Sequence, residues 1–427
     1  MSSFSASWVP GWDTSGFPAD ALPYGVCDTG QGPFIGVAIG DQVFDLSKAS
    51  AAGLLPVIDQ VATSAGTLNL LMRQGAARLQ ALRTRLHELL WSHGPSIDRD
   101  AAERCLTDRS AVQLRLPVQV GDFTDFYASE HHALRSMRAV VHNAELAANW
   151  YAMPVGYSSR AGAIVGDAVE VVRPSGQQRV AGEAIFAPSR MLDYEAEIGL
   201  IICADSQHGR PVPIESASDY LFGVSLLNDW SARDIQRWES QPLGPHLGKS
   251  FATQLGPWVL PLPALAGAAR PNPMASRALP YLNHEGQFLF DIEVKVTLAS
   301  AAMRRAGLAP ITICQANARD LYWDAAQMIA HVTSNGAPLR VGDVLGTGTI
   351  SGPALEQSAC LLERTSGGRS PLELPDGTRR SYLEDGDELT LNGQVRRGDG
   401  VALSLGSLKA TVAPAYERQS AVGEPSV

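Results

Sequence analysis

Acidic side chains gather in three distant stretches of this sequence, two of which also carry groups able to hold negative charge or accept a proton. In Met191-Leu-Asp-Tyr-Glu-Ala-Glu-Ile-Gly-Leu-Ile-Ile202, period-two alternation predicts a strand with Leu192, Tyr194, Ala196 and Ile198 on one face and Asp193, Glu195 and Glu197 on the other. A solvated sheet edge would explain such a row. This one runs into an apolar stretch typical of an interior, where crowded carboxylates either protonate or take up a cation. Oxygen donors favour Ca²⁺ or Mg²⁺, with Mn²⁺ as a third option. In Asp229-Trp-Ser-Ala-Arg-Asp-Ile-Gln236, a predicted helix sets Asp229, Arg233 and Gln236 on one face at i, i+4 and i+7. A solvated, salt-bridged face is the plain alternative. The flanking Leu226, Leu227, Trp230 and Trp238 argue for a helix inside the protein. A Pro- and Gly-rich turn follows and lets Lys249 fold back toward that face. Because Arg is this chain's usual cation, a Lys in a polar loop hints at a need for a compact ammonium. The stretch from Gly121 to Ala133 offers Asp125, Tyr127, His131 and His132. It could supply a metal ligand and a proton acceptor, or merely a structural His–carboxylate pair.

Positioning these groups falls to a small N-terminal unit and a larger, mainly β unit. Alternation around Phe34 to Val43, broken by Gly36 and Gly40, predicts a β-rich start. Leu71, Leu79, Leu82, Leu86 and Leu89 recur at helical spacing and predict an amphipathic helix over residues 68–91. A second amphipathic stretch over residues 98–109 leads into an extended run at residues 114–120, which places the domain boundary between residues 117 and 118. Beyond it, strands are expected at residues 198–203, 258–262, 289–296, 344–349, 361–364 and 389–391, with helices only around 133–147, 228–238 and 316–331. Many strands and few helices predict a rolled or sandwiched mixed sheet. The tail after Ala415 is expected to fray.

Bulk composition narrows the function classes. A net charge of -10 without any basic block argues against a nucleic-acid partner. No stretch approaches the apolar length of a membrane helix, and the first basic residue is Lys48, so no membrane span or signal peptide is expected and the cytoplasm is the expected location. Five widely spaced cysteines without a CxxC pair are expected to be free thiols.

Four blocks together resemble the fumarylacetoacetase family: Gly-Asp-Phe-Thr-Asp-Phe-Tyr from Gly121, Asn-Asp-Trp-Ser-Ala-Arg-Asp-Ile-Gln from Asn228, Leu-Gly-Lys-Ser-Phe from Leu247, and Gly-Thr-Ile-Ser-Gly-Pro from Gly348. The resemblance starts at about Phe17 and runs over most of the chain. It implies an α+β, mainly β architecture: an SH3-like N-terminal domain with helices (1–117), then a β-roll catalytic domain (118–427), paired as a homodimer. It also implies a hydrolase that cleaves a carbon–carbon bond in a β-diketo acid. The family's Ca²⁺ ligands fall on Asp125, Glu195, Glu197 and Asp229, and its general base falls on His132, oriented by Glu363. Its stabilisers of developing negative charge fall on Arg233, Gln236 and Lys249. Substrate contacts fall on Tyr127, Tyr157, Gln236 and Thr349, and a second, Mg²⁺-like ion would involve Asp229, Lys249 and Thr253.

The chain departs from the family pattern at its substrate contacts. Trp238-Glu239-Ser240 stands where the family has Trp-Glu-Tyr, which predicts a larger pocket beside Ser240. Gly156-Tyr-Ser-Ser-Arg-Ala-Gly-Ala163 replaces Gly-Tyr-His-Gly-Arg-Ala-Ser-Ser, and the Arg expected to hold a substrate carboxylate has only Arg135 and Arg138 as candidates. Such changes leave open a related metal-enolate reaction (decarboxylation, isomerisation or carbon–carbon bond formation), or a non-catalytic metal-binding homologue.

Overall fold

The computed structural model describes residues 6–91, 99–141, 143–158 and 160–416. Five antiparallel strands open the chain in the spatial order Leu106–Asp108, Gln42–Asp45, Pro33–Ile39, Tyr24–Asp28 and Gln113–Arg115. Val26, Ile35, Val37 and Phe44 of this sheet share a core with Leu82, Leu86, Leu89 and Leu90 of the helix Ala76–Leu90. The helix expected over residues 68–91 is split in two, Asn69–Met72 and Ala76–Leu90, because Gly75 between them adopts a left-handed φ of 85°. The stretch expected to be helical over 98–109 is helical only at Arg99–Glu103, and Asp98 lies outside the described residues. Leu106–Asp108 instead pairs with Gln42–Asp45, so the sheet, not a longer helix, satisfies its backbone.

The larger unit is built on a mixed sheet in the order Gly156–Ser158, Phe123–Phe126, Val344–Gly346, Ala196–Ile202, Leu221–Asp229, Thr253–Leu255 and Ile164–Val165. Leu260–Pro261 adds to the Leu221–Asp229 strand off this path. Side chains alternate across these strands and both faces are buried. One face sets Ile198, Leu200, Val224 and Leu226 against a second, five-stranded sheet through Val294, Val296, Leu403 and Leu405. The other sets Phe123, Ile201, Leu227, Leu255 and Val344 against the N-terminal core. Asp125, Glu197 and Asp229 share that second face by strand parity, at the end the N-terminal core does not fill.

Four expected elements take other forms. Residues 361–364 form the helix Leu361–Arg364, not a strand, because the Asp193 carboxylate accepts hydrogen bonds from the Leu361 and Leu362 amides and fixes a helical first turn. The helix expected over 228–238 is confined to Arg233–Glu239. Asp229 instead closes the strand Leu221–Asp229, where ladder pairing with Ala196–Ile202 and Thr253–Leu255 outweighs local propensity. Residues 311–317 are a strand, and the α-helix Ala325–Thr333 begins only past Asp324, its N-cap, which forms a capping box with Gln327. The helix expected over 133–147 is Glu130–Val140, started by the Ser129 hydroxyl accepting from the His132 amide.

Among the described residues no helix is long and apolar enough to cross a membrane. All five cysteines are free. The tail expected to fray lies, beyond Tyr416, outside the described residues.

Candidate active site

Three carboxylates reach one point from neighbouring strands. Asp125 lies in register with Gly346, Glu197 with Leu227, and Asp229 with Thr253. Oxygens of Asp125, Glu197 and Asp229 lie within 4.8 Å of one another, all buried. Gly346 makes the space: a Cβ there would stand 2.9 Å from Glu197 Oε2 and 3.1 Å from Asp125 Oδ1. Asp125 Oδ1 and Glu197 Oε1 are buried without a hydrogen-bond partner. Two orphaned anionic oxygens in a buried acid trio, with the room that Gly346 leaves beside Asp125 Oδ1, meet the needs of a hard divalent cation. Burial, with the Asp229 charge beside it, pushes Asp125 up to about 7. Burial and the neighbouring Asp125 and Asp229 push Glu197 well above the usual carboxylate range. A bound cation removes this conflict, because it stabilises the ionised form of each.

Glu195, the fourth expected ligand, stands slightly apart. It lies between the strands Leu192–Asp193 and Ala196–Ile202, so the row expected through Asp193, Glu195 and Glu197 is broken. Asp193 turns away to Arg233 and to the Leu361 and Leu362 amides. Glu195 accepts from Lys249 Nζ at 2.5 Å and pairs with Arg233 at 2.8 Å. Burial acts to raise Glu195, but Lys249, Arg233 and His132 overcome it and hold the group well below the usual range. Lys249 also contacts Asp229 Oδ2, and Thr253 donates to Asp229 Oδ1 at 3.1 Å. The three residues expected at a second ion are therefore already bonded to one another.

His132 stands on the first turn of Glu130–Val140, 3% exposed. Its Nδ1 lies 2.6 Å from Glu363 Oε1, and its Nε2 lies 3.8 Å from Glu195 Oε1. Ser351 Oγ donates to the same Glu363 oxygen at 2.6 Å, and Arg135 Nε donates to the other at 2.8 Å. Burial raises Glu363, yet His132, Arg135 and Ser351 outweigh it and keep the carboxyl below its usual range. An ionised Glu363 at Nδ1 holds the imidazole with Nε2 as its free acceptor.

A cavity of about 740 Å³ opens over both groups, and Asp125, Tyr127, His132, Tyr157, Glu195, Arg233, Gln236, Ser240, Lys249 and Thr349 all line it. Asp229 and Arg233 do not share a helix as expected, but both still reach the site, since Arg233–Glu239 begins four residues after the strand ends. Gln236 Oε1 accepts from Arg233 Nη1 at 3.3 Å. Tyr127 shares a 2.5 Å hydrogen bond with Ser136 and sets its ring edge-on to His132. Thr349 Oγ1 is buried without a partner. Ser240 Oγ folds back onto the Arg237 carbonyl at 3.1 Å and leaves the adjoining space open. Arg135 is not a free carboxylate anchor: besides Glu363, it donates to the carbonyls of Gly352, Pro353 and Ala354. Arg138 donates to the Ala144 carbonyl and does not line the cavity.

Sequence reading missed the roles of four residues, among them Asp193, which it placed only in the acid row. Ser351 and Asp193 act through hydrogen bonds across long sequence separations, for which no local pattern exists. Gly346 is one glycine among 40. Arg160 Nη2 stands 2.8 Å from Asp125 and 2.9 Å from Asp229. Its only signal was an Arg kept inside a block whose neighbours had changed.

Residues 20–117 match the model described as fumarylacetoacetase N-terminal, and residues 123–413 match the fumarylacetoacetate hydrolase C-terminal model. This chain belongs to the fumarylacetoacetase family. The fumarylacetoacetase of Homo sapiens is 40% identical over 421 residues, covering 96% of this chain and 99% of the relative. That of Bos taurus is 39% identical over 420 residues with the same coverage. Among solved structures, a fumarylacetoacetate hydrolase from Exiguobacterium antarcticum shares the family fold with a TM-score of 0.51 at 18% identity, covering 92% of this chain and all of that one.

Proposed function

We propose that this chain hydrolyses a carbon–carbon bond in fumarylacetoacetate or a close β-diketo acid relative, yielding fumarate and acetoacetate in the parent case. Asp125, Glu197 and Asp229, with Glu195 completing the set, would hold a divalent cation, Ca²⁺ or Mg²⁺ with Mn²⁺ as an alternative. When bound, such an ion supplies Lewis-acid polarisation of the two diketone oxygens. His132 Nε2 takes a proton from water as the water oxygen adds to the carbonyl carbon, and Glu363 balances the imidazolium. Arg233, Gln236 and Lys249 face the oxygen that becomes negative. As the carbon–carbon bond breaks, its electron pair leaves on the departing carbon, which takes up a proton.

The observation that carries this reading is the Glu363–His132 pair, with Nε2 aimed toward Glu195 beside the acid trio. Family membership, through relatives named fumarylacetoacetase, supports the substrate. Turnover in ¹⁸O-labelled water tests the reaction type. Hydrolysis places one labelled oxygen in the newly formed carboxylate; products without label would show a decarboxylation or isomerisation instead.

A further inference from the structure

Arg160 is the least expected member of the acid cluster. Its side chain is 3% exposed and donates to Asp125 Oδ2 while pairing with Asp229 Oδ2, yet Asp125 Oδ1 stays without a partner. Two rings hold the guanidinium: its carbon lies 4.9 Å from the Phe123 centroid and 4.8 Å from that of Tyr157. Its backbone adopts φ 64°, a left-handed conformation uncommon for a residue with a side chain, which indicates a position imposed by the surroundings.

Counting charge gives this position a purpose. The contacts join five buried carboxylates, Asp125, Asp193, Glu195, Glu197 and Asp229, to three buried cations, Arg160, Arg233 and Lys249. Glu197 enters through its place beside Asp125 and Asp229. With all five ionised around a bound ion, five negative charges against three positive leave two uncompensated, which one divalent ion neutralises. The Glu363–Arg135 pair balances itself.

We infer that Arg160 sets the charge of the ion this site accepts, acting as a fixed internal cation that makes it selective for a single divalent ion. Arg160 is a positioning and charge-tuning residue: it holds one oxygen each of Asp125 and Asp229 and leaves Asp125 Oδ1 for the ion. Without its charge the cluster carries three net negative charges, which favours a trivalent ion. This inference rests on the cation site of the proposed function.

Metal-free wild-type protein, Arg160→Met and Arg160→Lys are titrated with Ca²⁺ and with Tb³⁺, using calorimetry and Tb³⁺ luminescence. Wild type binds one equivalent of either ion. Arg160→Met shifts the Tb³⁺-to-Ca²⁺ affinity ratio toward Tb³⁺ by about tenfold or more, because one unit charge a few ångströms away acts more strongly on the trivalent ion. Arg160→Lys, which keeps the charge, stays near the wild-type ratio. A wild-type ratio in folded Arg160→Met, or an equal shift in Arg160→Lys, overturns the inference. Arg160→Gln carries the same test if Arg160→Met does not fold. A wild-type protein that binds neither ion would defeat the cation reading itself, a separate outcome.

Discussion

At the scale of single residues, the account turns on two kinds of buried charge. His132 has its Nδ1 fixed by Glu363 and its Nε2 facing the cavity, so His132→Ala should lower kcat by about 10²–10⁴. Metal content, read by elemental analysis, should not change, since the acid trio is untouched; an unaltered kcat would remove His132 from the reaction. Asp125 titrates in the opposite sense from an ordinary salt-bridged acid. Its folded value, about 7, lies above its unfolded value of 3.8, so metal-free protein binds the extra proton when folded and loses stability as pH rises between those values. A divalent ion takes the ionised carboxylate. The rise in Tm on adding Ca²⁺ should therefore grow as pH rises through about 7, and the raised Glu197 in the same trio extends that growth. Thermal melts with and without metal check this, and a shift that stays flat from about pH 5 to about pH 8 would contradict it.

At the scale of elements, the site depends on strands that end together and on one missing side chain. Gly346→Ala would put a methyl group against Glu197 and Asp125, so metal affinity by calorimetry should fall by about tenfold or more while circular dichroism stays native. Wild-type affinity would show that the ion sits elsewhere. Strand alternation made Glu197 legible as a site residue, because parity alone sets it opposite Ile198 and Leu200. The helix drawn through Asp229, Arg233 and Gln236 grouped residues that do meet, for a partly mistaken reason: a strand end and a separate helix converge there. Leu361-Leu-Glu-Arg364 was illegible because four residues carry no period, and Asp193, 168 positions away, caps the turn that forms. Arg160 was illegible for a similar reason, since its partners are fixed only by the pairing of distant strands.

At the scale of the whole molecule, the sheet that carries the acids is covered on both faces, and the N-terminal unit covers one of them. Removing residues 1–117 would uncover Phe123, Ile201, Phe222, Leu227 and Leu255. Each large apolar side chain is worth about 1.5–3 kcal/mol of burial, and together they rival the net stability of a typical domain. Residues 118–427 alone should therefore show no cooperative melt, and a wild-type-like transition would show that the two units fold independently. The core that the two units share was not legible in the sequence, because residues 123–344 join it from strands far apart in the chain. What unites these scales is the proposal of a divalent ion among four acids, facing a histidine base over a β-diketo acid. The most direct measurement is fumarate and acetoacetate release from fumarylacetoacetate by chelator-treated protein, before and after metal is restored. The account predicts turnover that disappears with the metal and returns with Ca²⁺ or Mg²⁺; full turnover in excess chelator, or none with metal present, would contradict it.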